Sequence, residues 1–562
     1  MIKDNLKIYC ENLHRYVDIT GGMSLWEVYE RLRDELGFEP IVARVNNKTE
    51  NLSFPLFSPK QVEFMKVTSA TGQRVYVRSL CMMLYRAVDA EMPHVRLLIE
   101  HSVCAGYYCR LLSRDNGTEI EITEEILGRI LAKMRELHER KLPFLRRERL
   151  TRDVIDRFRR QGLDDKVHLL TTQHNLYTTF YRLDDLCDSF YGALAPHTGL
   201  IGTFDLVKYK SGFLLMGIDP ANPDVPRQPV TQEKMFQVFK RYEQFNRVIR
   251  ISNVADLNDA VSQKSTAQLI NVAEAMHNNY ISSISNDITR LHHERGTRIV
   301  MIAGPSSSGK TTFCKRLGIQ LMTNLLTPKM ISLDDYFVDR AHTPRDASGD
   351  YDYESLYALD LERLNSDLAA LLRGETINLP TYSFELGTRI EKDRPLRLGP
   401  DDILIMEGIH GLNPELTQQL DTTKLFKIYV SALTTLHIDD HNWISTTDNR
   451  LLRRIVRDHR YRHTSALETI RRWPSVRRGE EKWIFPFQEN ADATFNSSLI
   501  FELGVMKEYA EPLLKEVPHD VPQYAEAYRL LKFLGYFDPI PAEQIPSTSL
   551  LREFLGGSSF HY

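Results

Sequence analysis

The sequence predicts an α/β fold, a doubly wound parallel sheet preceded by two smaller mixed units, and three features predict it. Residues 297–303, Thr-Arg-Ile-Val-Met-Ile-Ala, are apolar and β-branched, as a buried parallel strand requires. They lead into Gly304-Pro305-Ser306-Ser307-Ser308-Gly309-Lys310-Thr311, after which Phe313, Leu317 and Leu321 recur at helical spacing. Apolar runs at 329–333, 404–408 and 426–430 supply second, third and fourth strands, and acids stand at the ends of the first two, Asp334-Asp335 and Glu407. In open α/β sheets ligands bind outside the carboxyl ends of the strands, which is where these acids fall.

Residues 304–311 fit G-x-x-x-x-G-K-[ST]. Glycines let successive N–H groups curl inward as an anion nest, and the helix that follows adds the positive end of its dipole. Gly304, Pro305, Ser306, Ser307, Ser308, Gly309, Lys310, Thr311 and Thr312 are therefore expected around the phosphates of ATP. Lys310 should reach the β- and γ-phosphates, and the Thr311 hydroxyl should ligate Mg²⁺. Glu407, at a strand tip, is expected on the same ion, partly through water.

Arg450, Arg453, Arg454 and Arg457 fall at i, i+3, i+4 and i+7, one helical face that Arg460 and Arg462 extend, with Asp458 as the nearby acid. A solvated face normally mixes signs. A stripe of one sign is expected opposite a triphosphate, where guanidinium forks neutralise charge.

The chain of 562 residues is long enough for three or four domains. Its formal charge of −4 gives no whole-molecule field favouring nucleic acid or membrane. Cys10, Cys81, Cys104, Cys109, Cys187 and Cys314 form no C-x-x-C pair, which predicts reduced thiols and a cytoplasmic setting. No uncharged apolar stretch approaches 18 residues, so no membrane contact is expected.

Five segments are expected: 1–60, 61–225, 226–295, 296–515 and 516–562. In the first, residues 6–10 alternate like a strand, 24–36 read as a helix behind a Ser N-cap, and 40–45 as a second strand. In the second, 75–90 and 122–137 read as helices and 199–204 and 212–217 as strands. Prolines 220, 223, 226 and 229 mark its end. Residues 226–295 read as a helical connector and 516–562 as a helical tail.

Residues from 299 to about 496 resemble the uridine kinase and phosphoribulokinase family of phosphate-loop kinases. The likeness is carried by GPSSSGKTT, SLDDYF, Asp350-Tyr351-Asp352, Leu379-Pro380-Thr381-Tyr382-Ser383-Phe384, Ile405-Met406-Glu407-Gly408 and Arg453-Arg454-Ile455-Val456-Arg457-Asp458, in this order. The resemblance implies ATP- and Mg²⁺-dependent phosphorylation of a nucleoside 5′-hydroxyl, uridine- or cytidine-like. It makes Asp334 the general base, with Lys310 and Arg457 at the transferred phosphoryl group. It places Asp352, Tyr382, Phe384 and Arg454 around the substrate and Arg457 and Arg462 at the phosphates. Gly387 stands where pyrimidine kinases carry a base-reading His, and Phe337 where a Tyr is common. The alternatives are a kinase of another small alcohol, such as a sugar phosphate or pantothenate, and an ATP-switched RNA-binding regulator.

Residues 1–60 resemble the TGS domain, a β-grasp module, through Ile41-Val42-Ala43-Arg44-Val45-Asn46-Asn47-Lys48 and Leu52-Ser53-Phe54-Pro55-Leu56. Residues 61–225 resemble the α+β editing domain of threonyl-tRNA synthetase through His101-Ser102, Gly106-Tyr107-Tyr108 and the segment 187–217. That domain builds its site from H-x-x-x-H and C-x-x-x-H. Here Arg78 and Met82 take the first pair of positions, and Tyr191 replaces the partner of Cys187. Neither a metal nor aminoacyl hydrolysis is expected there. Arg146-Arg147-Glu148-Arg149 with Arg157, Arg159 and Arg160 permits RNA contact, a solvated helix being the alternative. A homo-oligomer is compatible with all of this.

Overall fold

A computed structural model describes residues 5–345, 349–383, 385–390 and 392–561. Residues 5–65 form a five-stranded sheet in the spatial order Arg15–Thr20, Asn5–Cys10, Gln61–Met65, Val42–Val45, Lys48–Glu50. Asn5–Cys10 runs parallel to Gln61–Met65, so its central strand lies past residue 60, where the sequence reading had ended the unit. The helix Leu25–Leu36 covers one face. Ser24 caps it, accepting from the Glu27 amide at 3.2 Å while the Glu27 carboxylate returns to the Ser24 amide at 2.7 Å, a reciprocal capping box.

The next unit packs the helices Ala70–Glu91 and Glu124–Glu139 on an antiparallel sheet ordered Asp205–Tyr209, Gly212–Met216, Gly106–Ser113, Val95–Val103. A three-stranded sheet, Leu186–Asp188, Tyr177–Leu183, Leu145–Leu150, adjoins it. The strand expected over 199–204 does not form. Thr198–Leu200 is a short 3₁₀ turn, because the Thr198 hydroxyl donates to the Leu137 carbonyl and accepts from the Leu142 amide at 2.9 Å. That side-chain bond ties the segment to the end of a helix and takes it out of any ladder. The basic run at 146–149 lies on a strand, and Arg157, Arg159 and Arg160 lie in the last turn of the helix Thr151–Arg160.

Three helices, Glu233–Ile249, Val254–Ser262 and Thr266–Arg295, lead into the parallel sheet. Its order is Thr327–Ser332, Asp402–Glu407, Ile299–Ala303, Leu425–Ser431, Ala493–Asn496, every pair parallel. Ile299–Ala303 sits at the centre and is wholly buried. The fifth strand, 493–496, was not expected: four residues between two helical stretches carry too little pattern to be read alone. The last segment is no loose tail. Leu550, Leu551, Phe554 and Leu555 are buried, and Leu550 joins the cluster formed by Val300, Phe313 and Val430.

Candidate active site

Lys310, Asp334, Glu407, Arg457 and Arg462 gather at the carboxyl edge of the parallel sheet. The central strand ends at Ala303 and the helix Lys310–Thr323 begins seven residues on, so residues 304–309 must turn within a few ångströms of a neighbouring strand. A Cβ on Gly304 would stand 2.0 Å from the Val430 carbonyl oxygen, and Gly309 adopts φ +82°. Both positions therefore require glycine, one for space and one for backbone conformation.

The arginine helix Thr446–Arg462 lies against the loop. Its residues divide in a way the sequence reading missed. Arg450 and Arg453 are buried to 1% and 0% exposure and do not face a triphosphate. Arg450 forks onto Glu480, at 2.8 Å through Nη2, and donates to the Ser306 carbonyl at 3.1 Å. Arg453 forks onto Glu502, at 2.7 Å through Nη2, and donates to the Ser307 carbonyl at 3.4 Å. Ser497 donates to the Ser308 carbonyl at 2.5 Å. Three consecutive carbonyls of the loop are thus held from outside, which fixes its curvature. The stripe looked unpaired because Glu480 and Glu502 lie far along the chain.

Arg454, Arg457 and Arg462 form the other half of the helix. Arg454 donates to the Ser306 hydroxyl at 2.7 Å, and all three lie within 3.4 Å of the buried Asp458 carboxylate. Arg457 is close enough to Lys310 to disfavour its charge, and Arg462 to Asp334 to favour its ionisation. Arg454 was expected at the substrate and Arg457 and Arg462 at the phosphates; the structure puts all three around one carboxylate beside the loop.

Lys310 is half-buried and donates to the Gly304 and Pro305 carbonyls at 2.9 and 3.2 Å. Loss of water lowers its ammonium below the ordinary lysine value, while Glu407, Glu553 and Asp334 work the other way. Asp334 follows the strand Thr327–Ser332 in a short turn, its amide held by the Ser332 hydroxyl at 3.2 Å. Asp334 is exposed, yet the protein around its carboxyl removes enough water to raise its pKa. Asp335 adds to the rise, and Lys310 and Arg462 oppose it.

The Thr311 hydroxyl donates to the Glu407 carboxylate at 3.1 Å. Burial, with Asp334 and Glu553 nearby, pushes Glu407 up to about 7, opposed mainly by Lys310. A hydroxyl and a carboxylate together at a phosphate loop are hard oxygen donors that suit Mg²⁺, which takes its remaining ligands from water and phosphates.

Asp352, expected at the substrate, accepts from the Glu354 amide at 3.2 Å and so serves a turn as well as facing outward in part. Tyr382, expected to line the base of the substrate, lies largely inside the protein. It is 7% exposed, and its ring packs 5.5 Å from that of Phe337, inside the core. Phe384 lies outside the described residues. Gly387 turns a two-stranded hairpin at φ +70°, and a Cβ there would come 2.5 Å from Cζ of Arg340, so that guanidinium fills the space a side chain at 387 would take.

Two carboxylates went unread in the sequence. Glu354 enters the cluster, and burial with Glu480 nearby pushes it up to about 7, against Arg454 and Lys310. Glu553 arrives from the last segment of the chain and accepts from the Thr312 amide at 3.1 Å and the Thr312 hydroxyl at 2.6 Å. The run Asp350-Tyr351-Asp352-Tyr353-Glu354 offered a signal for the first. Nothing local marked the second.

The family description phosphoribulokinase / uridine kinase matches residues 299–499. The uridine kinase of Staphylococcus aureus strain JH9 is 31% identical over 202 residues, which cover 35% of this chain and 86% of that protein. The chain belongs to the phosphoribulokinase / uridine kinase family. Among solved structures, one described as a possible uridine kinase from Bacillus stearothermophilus is 20% identical, covering 35% of this chain and 88% of that one at a TM-score of 0.25. A D-glycerate 3-kinase from Cryptococcus neoformans is 16% identical, covering 48% and 87% at 0.19. The family membership makes residues 299–499 a phosphate-loop kinase. Among the described residues no helix is long and apolar enough to cross a membrane.

Proposed function

We propose that residues 296–515 transfer the γ-phosphoryl group of ATP to the 5′-hydroxyl of a nucleoside, uridine- or cytidine-like. The observation that carries this reading is the convergence of Asp334 and Lys310 at one sheet edge, each altering the ionisation of the other. In such transfers the protein supplies position and electrostatic stabilisation. Asp334 accepts the proton of the attacking hydroxyl, and its raised pKa makes it a better base than an ordinary aspartate. Lys310 and Arg457 stabilise charge on the transferred group, Arg462 steadies the phosphates, and Arg454 and Asp352 hold the acceptor. Mg²⁺ held by Thr311 and Glu407 would neutralise charge between the β- and γ-phosphates.

ADP release measured over a panel of nucleosides, sugar phosphates and pantothenate tests the assignment. Uridine or cytidine turnover at least about tenfold above the others, about 1.4 kcal/mol of barrier, supports it. A second reading, a kinase of a small alcohol that already carries an anion, is favoured by Arg340 in the space beside Gly387. A guanidinium there suits a phosphate or carboxylate on the acceptor. Preference for a sugar phosphate in the same panel would select it.

A further inference from the structure

A cavity of about 440 Å³ lies far from the phosphate loop in sequence, between the first two units and the helix Tyr524–Leu534. That is the size of a small-molecule site. Its wall is cationic: Arg74, Arg78, Arg146, Arg529 and Lys532 line it, against Glu50 as the acid among the lining residues, while Lys166 beside them is already paired with Asp188 and Asp439.

Arg78 is the informative member. It is 9% exposed, sits mid-helix, and its Nε donates to the Ala193 carbonyl at 3.2 Å. Its other neighbours are the Tyr191 ring, 5.9 Å from the guanidinium carbon, and two further arginines. No carboxylate lies within ion-pair distance of it among the described residues. The acids nearby are already used. Arg74 pairs with Glu526 at 3.0 Å, and Arg529 takes Asp448 at 2.7 Å and Glu526. Three guanidinium groups therefore meet two carboxylates, which leaves one positive charge unmatched inside the protein. A buried cation without a counter-ion is costly.

Gly192 shows that the space around this group is reserved. Its φ is not positive, yet a Cβ there would stand 2.6 Å from Cζ and 2.7 Å from Nη2 of Arg78. Among small polar and aliphatic residues the wall also carries the rings of Tyr181, Tyr191, Tyr528, Tyr536 and Phe190. Rings of this kind receive a flat body while an arginine fork receives an anionic end.

We propose that this cavity binds a small organic anion, a carboxylate or phosphate monoester carried on a flat ring, with Arg78 as its counter-ion. Nothing in the kinase chemistry calls for this site.

Isothermal titration of the full-length protein, with Mg²⁺-ADP present in excess to occupy the phosphate loop, tests it. The probes are benzoate, phenyl phosphate and, as the uncharged control, phenol. Binding of either anion is expected, with phenol at least about tenfold weaker, as the loss of a charge-assisted hydrogen bond implies. The stronger of benzoate and phenyl phosphate identifies the anionic group. Arg78→Gln should abolish the binding while kinase turnover stays at the wild-type rate. If Arg78→Gln unfolds, Gly192→Ala, which displaces the guanidinium and leaves its charge, should weaken the same probe. Absence of anion binding up to about 10 mM, the weak limit for a specific small-molecule site, would overturn the proposal. So would phenol binding as well as the anions, or unchanged affinity in a folded Arg78→Gln or Gly192→Ala protein.

Discussion

At the scale of single residues the kinase site depends on how Asp334 is balanced. Burial and Asp335 raise its pKa, while Lys310 and Arg462 lower it. In the proposed reaction the ionised form is the base, so turnover should fall as pH drops through a midpoint above the ordinary aspartate value. Removing the cation in Arg462→Ala disfavours the carboxylate, so the acid limb of kcat/KM should move to higher pH. Removing the like charge in Asp335→Asn should move it lower. Opposite shifts, read from pH profiles, identify Asp334 as the titrating group; profiles that coincide with wild type would assign that limb to another residue. Asp334→Ala itself should reduce kcat by about 10²–10⁴, the usual contribution of a general base. Near wild-type turnover with every acceptor would remove the base role. Lys310, Thr311, Asp334 and Glu407 were legible in the sequence because each belongs to a strand end or a glycine loop whose letters fix its place. Glu553 was not, because its role depends on a contact 241 residues away in the chain.

At the scale of elements, the arginine helix serves two ends at once. Its spacing was readable, but one-dimensional periodicity gave the six arginines a single role. The helix passes between the phosphate loop and the helices Ala466–Trp483 and Glu502–Lys515, so its two sides meet different partners. The buried pairs Arg450–Glu480 and Arg453–Glu502 brace loop carbonyls, and breaking one strands a carboxylate inside the protein. Arg453→Met should therefore destabilise the kinase domain by about 3–5 kcal/mol, seen as a lowered melting midpoint. Arg457→Ala, on the open side, should leave that midpoint nearly unchanged and reduce kcat. If the two variants have the same effects on stability and turnover, this division of labour is wrong. Tyr382 shows the same limit of local reading: a strand aromatic gives no sign of the ring it will pack on, here Phe337 at 5.5 Å.

At the scale of the whole molecule, four of the five strands of the parallel sheet could be read from an eight-residue loop and a few apolar runs, since backbone geometry allows few ways to join them. The packing of residues 550–555 beside that sheet could not, because it is set by long-range burial: Leu550 joins the cluster under the sheet, while Leu551 and Leu555 join that of the arginine helix. Its consequence is a carboxylate at the start of the helix that should receive phosphates. The Glu553 oxygen bonded to the Thr312 amide takes one of the unpaired N-terminal donors that such helices offer to anions. Its charge also lies close enough to Lys310 and Glu407 to affect both. A triphosphate entering the loop must meet this negative group or displace it. Glu553→Gln keeps the shape and can still accept from Thr312, but it removes the charge. The Michaelis constant for ATP should then fall several-fold with kcat little changed, and the difference should shrink as salt screens the interaction. Removing residues 549–562 altogether would expose the apolar face against Leu317 and Phe313 and lower the melting midpoint, so the point substitution separates charge from packing. An ATP Michaelis constant that stays the same or rises in Glu553→Gln would make the carboxylate a plain helix cap with no hold over the nucleotide.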